Sequence, residues 1–267
     1  MPTLRELIEY HQPETIEEAL KLLRRTRVKT VPLAGGTSLV PSAAPDVQAV
    51  VDLSALGLSY VKGLSIGAMT TLQTIVDHAD LRTYADGVLT AAILDSASRQ
   101  TREGASLAGS IASAAGNSPL FTALLALDAR LTVRTGRGTR EEEVKLAYWT
   151  PQPRALILQV TLPKLAETTH AAYEKVARTP ADLPIVCVAA RATLDQDQLR
   201  DIRLALGGVG EKPIVITQPT GSIEDLAQLA VATVTPADDY FASAGYRRDM
   251  IGVLTKRVLS KLLHQPQ

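Results

Sequence analysis

A run of glycines and hydroxyl residues near the start of the chain has the residue types best suited to binding an anion. Residues 31–38 read Val-Pro-Leu-Ala-Gly-Gly-Thr-Ser, so an apolar, strand-like stretch breaks into two glycines and two hydroxyl side chains. Gly35 and Gly36 lack a Cβ and let backbone N–H groups approach an anion closely, while Thr37 and Ser38 add hydroxyl donors. The pattern predicts a phosphate-binding loop, and an ordinary glycine turn is the alternative.

A second run of small residues occurs farther along the chain. Residues 104–113 read Gly-Ala-Ser-Leu-Ala-Gly-Ser-Ile-Ala-Ser and lead into the apolar segment 120–127. The chain therefore offers two loops of small residues, and the two together indicate a phosphate site more strongly than one loop does.

Hydrophobic periodicity and turn residues indicate which elements position these loops. A Thr15-x-x-Glu18 capping box precedes a helix at 15–25, and the first loop follows a strand at 31–34. In the N-terminal part we also predict strands at 48–53, 64–68, 131–134 and 155–162, turns at Gly63 and 136–138, a helix at 71–78, and a loop at 104–118 before a helix ending at Leu127. In the C-terminal part we predict strands at 171–176, 185–194 and 202–208, helices at 222–231 and 237–263, and surface or subunit contacts for Arg247 and Arg248.

Composition describes a globular chain without a strong charge preference. The 267 residues are 46% hydrophobic, which suits about two domains with packed cores. Because 28 basic and 28 acidic residues cancel, composition gives no electrostatic footprint for nucleic acid or an anionic membrane. We find no uncharged run of the ~18 residues that a membrane span needs and no secretory leader, so we expect a cytoplasmic protein.

Cysteine and histidine usage limits the metal chemistry of the chain. Cys187 is the single cysteine, which excludes an intrachain disulfide and leaves too few thiolates for an iron–sulfur cluster. Its apolar surroundings at 184–190 predict an inert core residue. The four histidines are too dispersed to form a local metal motif, so we predict no metal site and expect any cluster to come from a partner.

Several motifs occur in the order typical of one protein family. Residues 34–38 resemble its AGGTD- or AGGHS-like loop, residues 106–110 its (T/S)-(I/L)-G-G-N loop, and residues 64–71 its I-G-A-x-T-T segment. Further similarities lie at 124–129, at 155–163, at 173–178 with Asp182, at 205–210 and at 242–248. The chain thus resembles, over nearly its whole length, the flavin-binding subunit of the molybdenum hydroxylases, the family of xanthine dehydrogenase and aerobic carbon monoxide dehydrogenase.

Three positions depart from the pattern of that family. Ala108 stands where the first glycine of the second loop is usual, Ser110 replaces its asparagine, and Pro119 occupies a usually acidic position. These departures keep a flavin-free structural subunit open as an alternative. Bound yellow cofactor in the purified protein would exclude that alternative.

The resemblance implies a fold, a cofactor and partners. The implied fold is α+β, with a two-lobed FAD-binding domain of the vanillyl-alcohol-oxidase type at 1–165 and a small C-terminal domain at 166–267 with a three-stranded antiparallel sheet and helices. FAD would pass electrons from an iron–sulfur small subunit and a molybdenum-containing large subunit to an external acceptor in a hetero-oligomer. No side chain would act as acid, base or nucleophile. The implied FAD contacts are Leu33, Ala34, Gly35, Gly36, Thr37, Ser38, Leu39, Ala105, Ser106, Gly109, Ser110, Ser113, Ser118, Leu156 and Asp182.

A serine hydrolase is a second alternative, because residues 63–67 form a literal G-x-S-x-G. In that case Ser65 would be the nucleophile at a strand-to-helix elbow, with a later Asp and a His such as His170 or His264 completing a triad. The alternation of Leu64, Ile66 and Ala68 favours instead a strand that runs through the motif.

Overall fold

The computed structural model describes residues 4–42, 44–135, 140–152, 154–196 and 198–264. The turn expected at 136–138 lies outside these residues. Two compact units share the chain in alternating segments. Unit 1 comprises Met1–Ile75, Arg99–Ser113 and Arg130–Leu162, and unit 2 comprises Val76–Ser98, Ala114–Ala129 and Pro163–Gln267.

Helices occur in both units. They are α1 (Ile16–Leu23), α2 (Leu39–Ser42), α3 (Leu72–Asp77), α4 (Ala79–Thr83), α5 (Val88–Ser96), α6 (Arg99–Gly104), α7 (Leu107–Ala112), α8 (Pro119–Ala126), α9 (Ile223–Thr233) and α10 (Ala244–Leu263). The predicted capping residue is confirmed at α1, where Thr15 Oγ1 accepts a hydrogen bond from the Glu18 N–H at 3.2 Å. Among the described residues, none of these helices is long and apolar enough to cross a membrane.

Unit 1 contains two sheets. The first is parallel in the order β1–β3–β2, formed by β1 (Glu9–His11), β2 (Thr30–Leu33) and β3 (Ala49–Asp52). The second is antiparallel in the order β4–β5–β8–β6–β7, formed by β4 (Val61–Lys62), β5 (Ser65–Gly67), β6 (Arg130–Thr135), β7 (Glu141–Lys145) and β8 (Ala155–Thr161). The strands predicted from apolar runs in this part are confirmed, with ends shifted by one or two residues.

The second small-residue run is more helical than the sequence predicts. A loop was expected at 104–118, but α7 occupies its centre. Ser106 caps this helix by accepting a hydrogen bond from the Gly109 N–H at 3.1 Å, and Leu107 and Ile111 are buried one turn apart. With only these two large apolar residues among glycines, alanines and serines, the helical period is too weak to detect in the sequence.

Unit 2 is built on an antiparallel sheet in the order β12–β11–β10–β9. Its strands are β9 (Thr169–Val176), β10 (Val186–Asp195), β11 (Gln198–Gly207) and β12 (Ile214–Thr220). The three-stranded sheet expected from the sequence is therefore wrong by one strand. That strand, β12, was missed because it contains Pro219, which belongs at an edge where no ladder hydrogen bond is lost, and β12 is indeed an edge strand.

The core of unit 2 joins this sheet to the two C-terminal helices. Val186, Val188 and Ala190 alternate along β10 and so share one face, where they belong to a buried cluster with residues of α9 and α10. In α10 the buried residues Ile251, Leu254, Val258 and Leu262 recur at helical spacing. On the alternate positions of β10, the Cys187 thiol donates to Thr122 Oγ1 of α8 at 3.5 Å, and burial raises the pKa of this thiol to about 12.

The last helix begins later than its sequence pattern suggests. A helix was expected from 237, but α10 begins at Ala244 after its N-cap Ser243. The preceding segment is a turn, in which Asp239 Oδ1 accepts hydrogen bonds from the N–H groups of Phe241 at 2.8 Å and Ala242 at 3.0 Å. A carboxylate that binds nearby backbone donors competes with helix formation.

Arg247 is buried, so the expectation of a surface or subunit contact is wrong at this position, whereas Arg248 is exposed. Arg247 Nη1 donates to the carbonyl oxygens of Ile185 at 2.7 Å and Gly208 at 3.1 Å. Its Nη2 donates to Asp239 Oδ2 at 2.5 Å, and this hydrogen bond lowers the pKa of Asp239. The guanidinium thus ties two strand ends to the start of α10.

We expect Arg247→Met to lower the free energy of unfolding by about 2–5 kcal/mol, because it leaves buried carbonyl groups without a donor and removes an ion pair. Arg248→Met is the matched control and should change stability by less than about 0.5 kcal/mol, the usual range at an exposed position. Urea denaturation followed by circular dichroism measures both. Equal midpoints for the two variants would contradict this role of Arg247.

Candidate functional site

A cavity of 380 Å³ lies in unit 1 between the two small-residue segments and the five-stranded sheet. Ten residues predicted from the sequence line it: Ala34, Gly35, Gly36, Thr37, Ser38, Leu39, Ser106, Gly109, Ser113 and Leu156. The fold therefore brings together two segments about seventy residues apart, as a site with two loops requires.

The first loop has the backbone of an anion-binding site. It leaves β2 directly and turns at Gly36, whose φ of +71° is a left-handed conformation that most side chains disfavour. Gly35 is needed for a different reason, since an added Cβ would lie 1.5 Å from the Gly104 carbonyl oxygen. Within the described part of the chain, the backbone N–H groups of residues 35–38 donate no hydrogen bond. These donors are available to a ligand.

Serine hydroxyls join the second segment to the first. Ser113 Oγ lies 3.0 Å from Ser38 Oγ and 2.8 Å from the carbonyl oxygen of Gly109. A Cβ at Gly109 would lie 3.7 Å from the Cβ of Ala34, so the segments are in close proximity. The contact fixes the spacing of the two polar edges of the cavity.

Three predicted residues lie next to the cavity without lining it. The carbonyl oxygen of Leu33 accepts the Leu53 N–H at 2.9 Å, Ala105 is 4% exposed, and Ser110 Oγ donates to the Ser106 carbonyl oxygen at 2.9 Å. The structure gives these residues supporting positions, and their contact with FAD stays a prediction.

Ser118 and Asp182 belong to unit 2. Ser118 is the N-cap of α8 and accepts a hydrogen bond from the Phe121 N–H at 3.3 Å. Asp182 lies 3.7 Å from Arg178 and lines a separate cavity of 670 Å³ in unit 2. Their assignment to the flavin also stays a prediction.

The apolar part of the cavity lining was not predicted from the sequence. It comes from strand residues such as Val133 and Ile157, which are register partners on β6 and β8, and from the segment that precedes β8. The further lining residues are Pro32, Ser42, Leu53, Ala68, Met69, Ala108, Ala112, Trp149, Pro151, Gln152 and Ala155. Strand pairing places Val133 and Ile157 beside the loops, and no local motif marks either residue.

The electrostatic character of the cavity is neutral, because none of its described lining residues carries an ionisable side chain. An anion here would be held by backbone N–H groups and hydroxyls instead of by lysine or arginine. The glycine positions, the available donors and the apolar walls fit a dinucleotide cofactor, whose pyrophosphate needs donors and whose rings need apolar surface.

The hydrolase alternative lacks its required geometry. Ser65 is the first residue of β5, which pairs with β4 and β8, whereas a nucleophile elbow ends a strand and begins a helix. His170 Nδ1 lies 3.2 Å from Asp86, and His264 Nδ1 lies 2.7 Å from the Ser260 carbonyl oxygen at the end of α10. The strand predicted through the motif is confirmed.

Known proteins similar to this chain bind the kind of cofactor that the cavity fits. Residues 6–165 match the family described as FAD binding domain in molybdopterin dehydrogenase, and residues 171–262 match the CO dehydrogenase flavoprotein C-terminal domain. The chain is therefore a flavoprotein of the molybdenum hydroxylase class. It belongs to the family of FAD-binding medium subunits of these oxidoreductases, and the resemblance found in the sequence is confirmed.

Relatives and a solved structure match over almost the full length. A glyceraldehyde dehydrogenase medium chain from Sulfolobus acidocaldarius is 29% identical, with 95% of this chain and 97% of the relative covered. The alpha subunit of a 6-hydroxypseudooxynicotine dehydrogenase complex from Paenarthrobacter nicotinovorans is also 29% identical, with 96% and 95% covered. A carbon monoxide dehydrogenase structure from Hydrogenophaga pseudoflava has a TM-score of 0.86 at 23% identity, with 97% of both chains covered, which confirms the α+β fold.

Proposed function

We propose that this chain transfers electrons, through FAD bound in the unit 1 cavity, from partner subunits to an external acceptor. The proposal rests on the backbone N–H groups of residues 35–38. They donate no hydrogen bond within the described part of the chain, and their residues line the cavity together with the second segment. When bound, FAD supplies the redox chemistry, because it accepts and donates electrons as no side chain of the chain does.

The residues of the chain bind and orient the cofactor. The N–H groups of residues 35–38 and the hydroxyls of Thr37 and Ser106 would hold the pyrophosphate, while Leu39 and Leu156 would exclude water from its surroundings. The contacts proposed for Leu33, Ala105, Ser110, Ser118 and Asp182 rest on the family resemblance. None of these residues acts as a general acid, base or nucleophile in this proposal.

The proposed partners are an iron–sulfur small subunit and a molybdenum-containing large subunit. Two relatives are named as the medium chain or a complex subunit of a dehydrogenase, which supports a hetero-oligomer. Their names refer to different substrates, as expected if another subunit selects the substrate. A cytoplasmic location belongs to the same proposal and rests on the family resemblance.

The proposed division into domains at 1–165 and 166–267 follows the sequence, and the bounds of the two family matches support it. The compact units divide the chain differently, because α5 and α8 pack with the C-terminal sheet in unit 2. The domains are therefore proposed as sequence modules, whereas the units describe packing.

We expect denaturation of the purified protein to release FAD and to leave a polypeptide of unmodified mass. Neither small-residue segment contains a His or Cys, the residues commonly used for covalent attachment, and the described cavity lining has none. Mass spectrometry of the denatured chain and chromatography of the released flavin test this. Flavin that stays attached would contradict noncovalent binding, and a complex that neither contains nor takes up flavin would support the flavin-free alternative.

A further inference from the structure

Trp149 is the single tryptophan of the chain, and it lines the cavity. It follows the short 3₁₀ helix Leu146–Tyr148 and is partly buried, whereas the neighbouring Tyr148 is 80% exposed. The Trp149 N–H donates to the Leu146 carbonyl oxygen at 3.1 Å, which anchors the backbone of this segment. The fold thus directs one of two consecutive aromatic residues to the cavity.

The cavity has two chemically distinct parts. The glycine loop and the serines offer hydrogen-bond donors, whereas Leu53, Val133, Leu156 and Ile157 offer apolar surface. Trp149 adds an aromatic ring to the lining, and Gln152 adds an amide that can donate and accept side by side. An aromatic ring with a nearby amide is suited to a purine, because bases stack on aromatic side chains and glutamine pairs with the edge of adenine.

FAD contains two ring systems, and the chemistry of each suggests its place. In the proposed function the isoalloxazine must stay within reach of partner clusters and of an acceptor, so the interior apolar lining of the cavity is a less suitable place for it. Adenine only needs to be bound, and its exocyclic amine and ring nitrogens match a glutamine amide. The apolar part with Trp149 and Gln152 is therefore the more suitable place for adenine.

We propose that Trp149 stacks on the adenine of FAD and, with Gln152, makes this cavity select an adenine dinucleotide over FMN. This inference rests on the proposed binding of FAD in the unit 1 cavity. Stacking on an aromatic side chain typically changes affinity by about tenfold or more per base. Trp149 is thus a specificity residue for the cofactor and takes no part in electron transfer.

The first test uses the flavin-free full-length chain and the fluorescence of its single tryptophan. ADP contains the adenine and the pyrophosphate but absorbs no tryptophan emission, so energy transfer contributes nothing to a change on ADP binding, and inorganic pyrophosphate controls for the effect of the phosphates. We expect ADP to quench Trp149 saturably and to compete with FAD, and inorganic pyrophosphate to leave the emission unchanged. Binding of ADP without any change in Trp149 fluorescence would overturn the proposal.

The second test compares affinities in variants. Trp149→Ala should weaken both ADP and FAD by about tenfold or more, and Trp149→Phe should retain most of the affinity because a ring remains. FMN, which lacks adenine, should bind the wild-type and Trp149→Ala chains equally weakly. Tyr148→Ala is the matched control, because this exposed aromatic neighbour does not line the cavity, and should behave as wild type.

Failure of this inference is distinguishable from failure of the proposed function. A wild-type chain that binds FAD, together with a folded Trp149→Ala variant of unchanged ADP affinity, overturns the role of Trp149 alone. A loss of FMN affinity equal to that of FAD would place the isoalloxazine at Trp149 and also overturn it. A folded wild-type chain that binds neither FAD nor ADP overturns both proposals.

Discussion

Gly36→Asp is expected to give a folded chain that binds FAD more weakly. Gly36 lines the cavity with a φ of +71°, a conformation that aspartate tolerates better than most residues. The new carboxylate would face a pyrophosphate in a cavity whose described lining offers no cation. Like charges ~4 Å apart repel by about 1 kcal/mol with full water screening and by about 4 kcal/mol at an intermediate dielectric. The FAD dissociation constant should therefore rise by about fivefold to a thousandfold.

Gly36→Asn is the matched control for this variant. Asparagine has nearly the same volume and the same tolerance for a left-handed backbone, and it carries no charge. A Cβ at this position meets Val40 Cγ2 at 3.3 Å, so both variants share a small steric cost. Flavin fluorescence gives the affinities, and circular dichroism verifies folding. Equal FAD affinity in the Asp and Asn variants would show that no phosphate lies at Gly36.

Substrate-dependent reduction of the flavin is expected only when both partner subunits are present. The chain has a single cysteine, Cys187, which is buried. One thiolate is too few to hold an iron–sulfur cluster. In the proposed relay, electrons from an organic substrate therefore enter from another polypeptide. In the isolated flavoprotein a chemical reductant should bleach the flavin absorbance, whereas the substrate should leave it unchanged.

Reconstitution with the partner subunits left out in turn tests this directly. Omission of either the iron–sulfur or the molybdenum subunit should abolish bleaching by substrate, and a complex that contains Gly36→Asp should show a flavin signal reduced in line with its weaker FAD binding. Because the chemical reductant bypasses the partners, it verifies that the flavin is competent in each mixture. Efficient turnover of an organic substrate by the isolated chain would replace the relay with an autonomous enzyme.

The parts of the fold that could be predicted are those with local signals. The helix after Thr15 depends on a side-chain cap within four residues, and β2 with its glycine loop depends on an abrupt change from apolar residues to Gly35 and Gly36. Likewise, β10 begins and β11 ends with a continuous run of buried, mostly apolar residues. Such features are fixed by neighbours in the chain, so they can be identified without knowledge of tertiary contacts.

The parts that could not be predicted depend on partners distant in sequence. Trp149 lines the cavity together with Val133 of β6 and Ile157 of β8, and nothing in its own segment indicates this. The burial of Arg247 depends on two strand ends and Asp239, whereas its sequence context next to Arg248 resembles a charged surface. The alternation of the two units along the sequence has the same cause, since α5 and α8 pack against residues distant in sequence.

The FAD content of the folded chain tests the central claim most directly. The flavin-free full-length chain is titrated with FAD, and bound flavin is measured after separation from free ligand. We predict saturable binding that reaches a one-to-one ratio in the wild-type chain and is weaker in Gly36→Asp. A folded wild-type chain, alone and with its partner subunits, that binds no FAD would contradict the account.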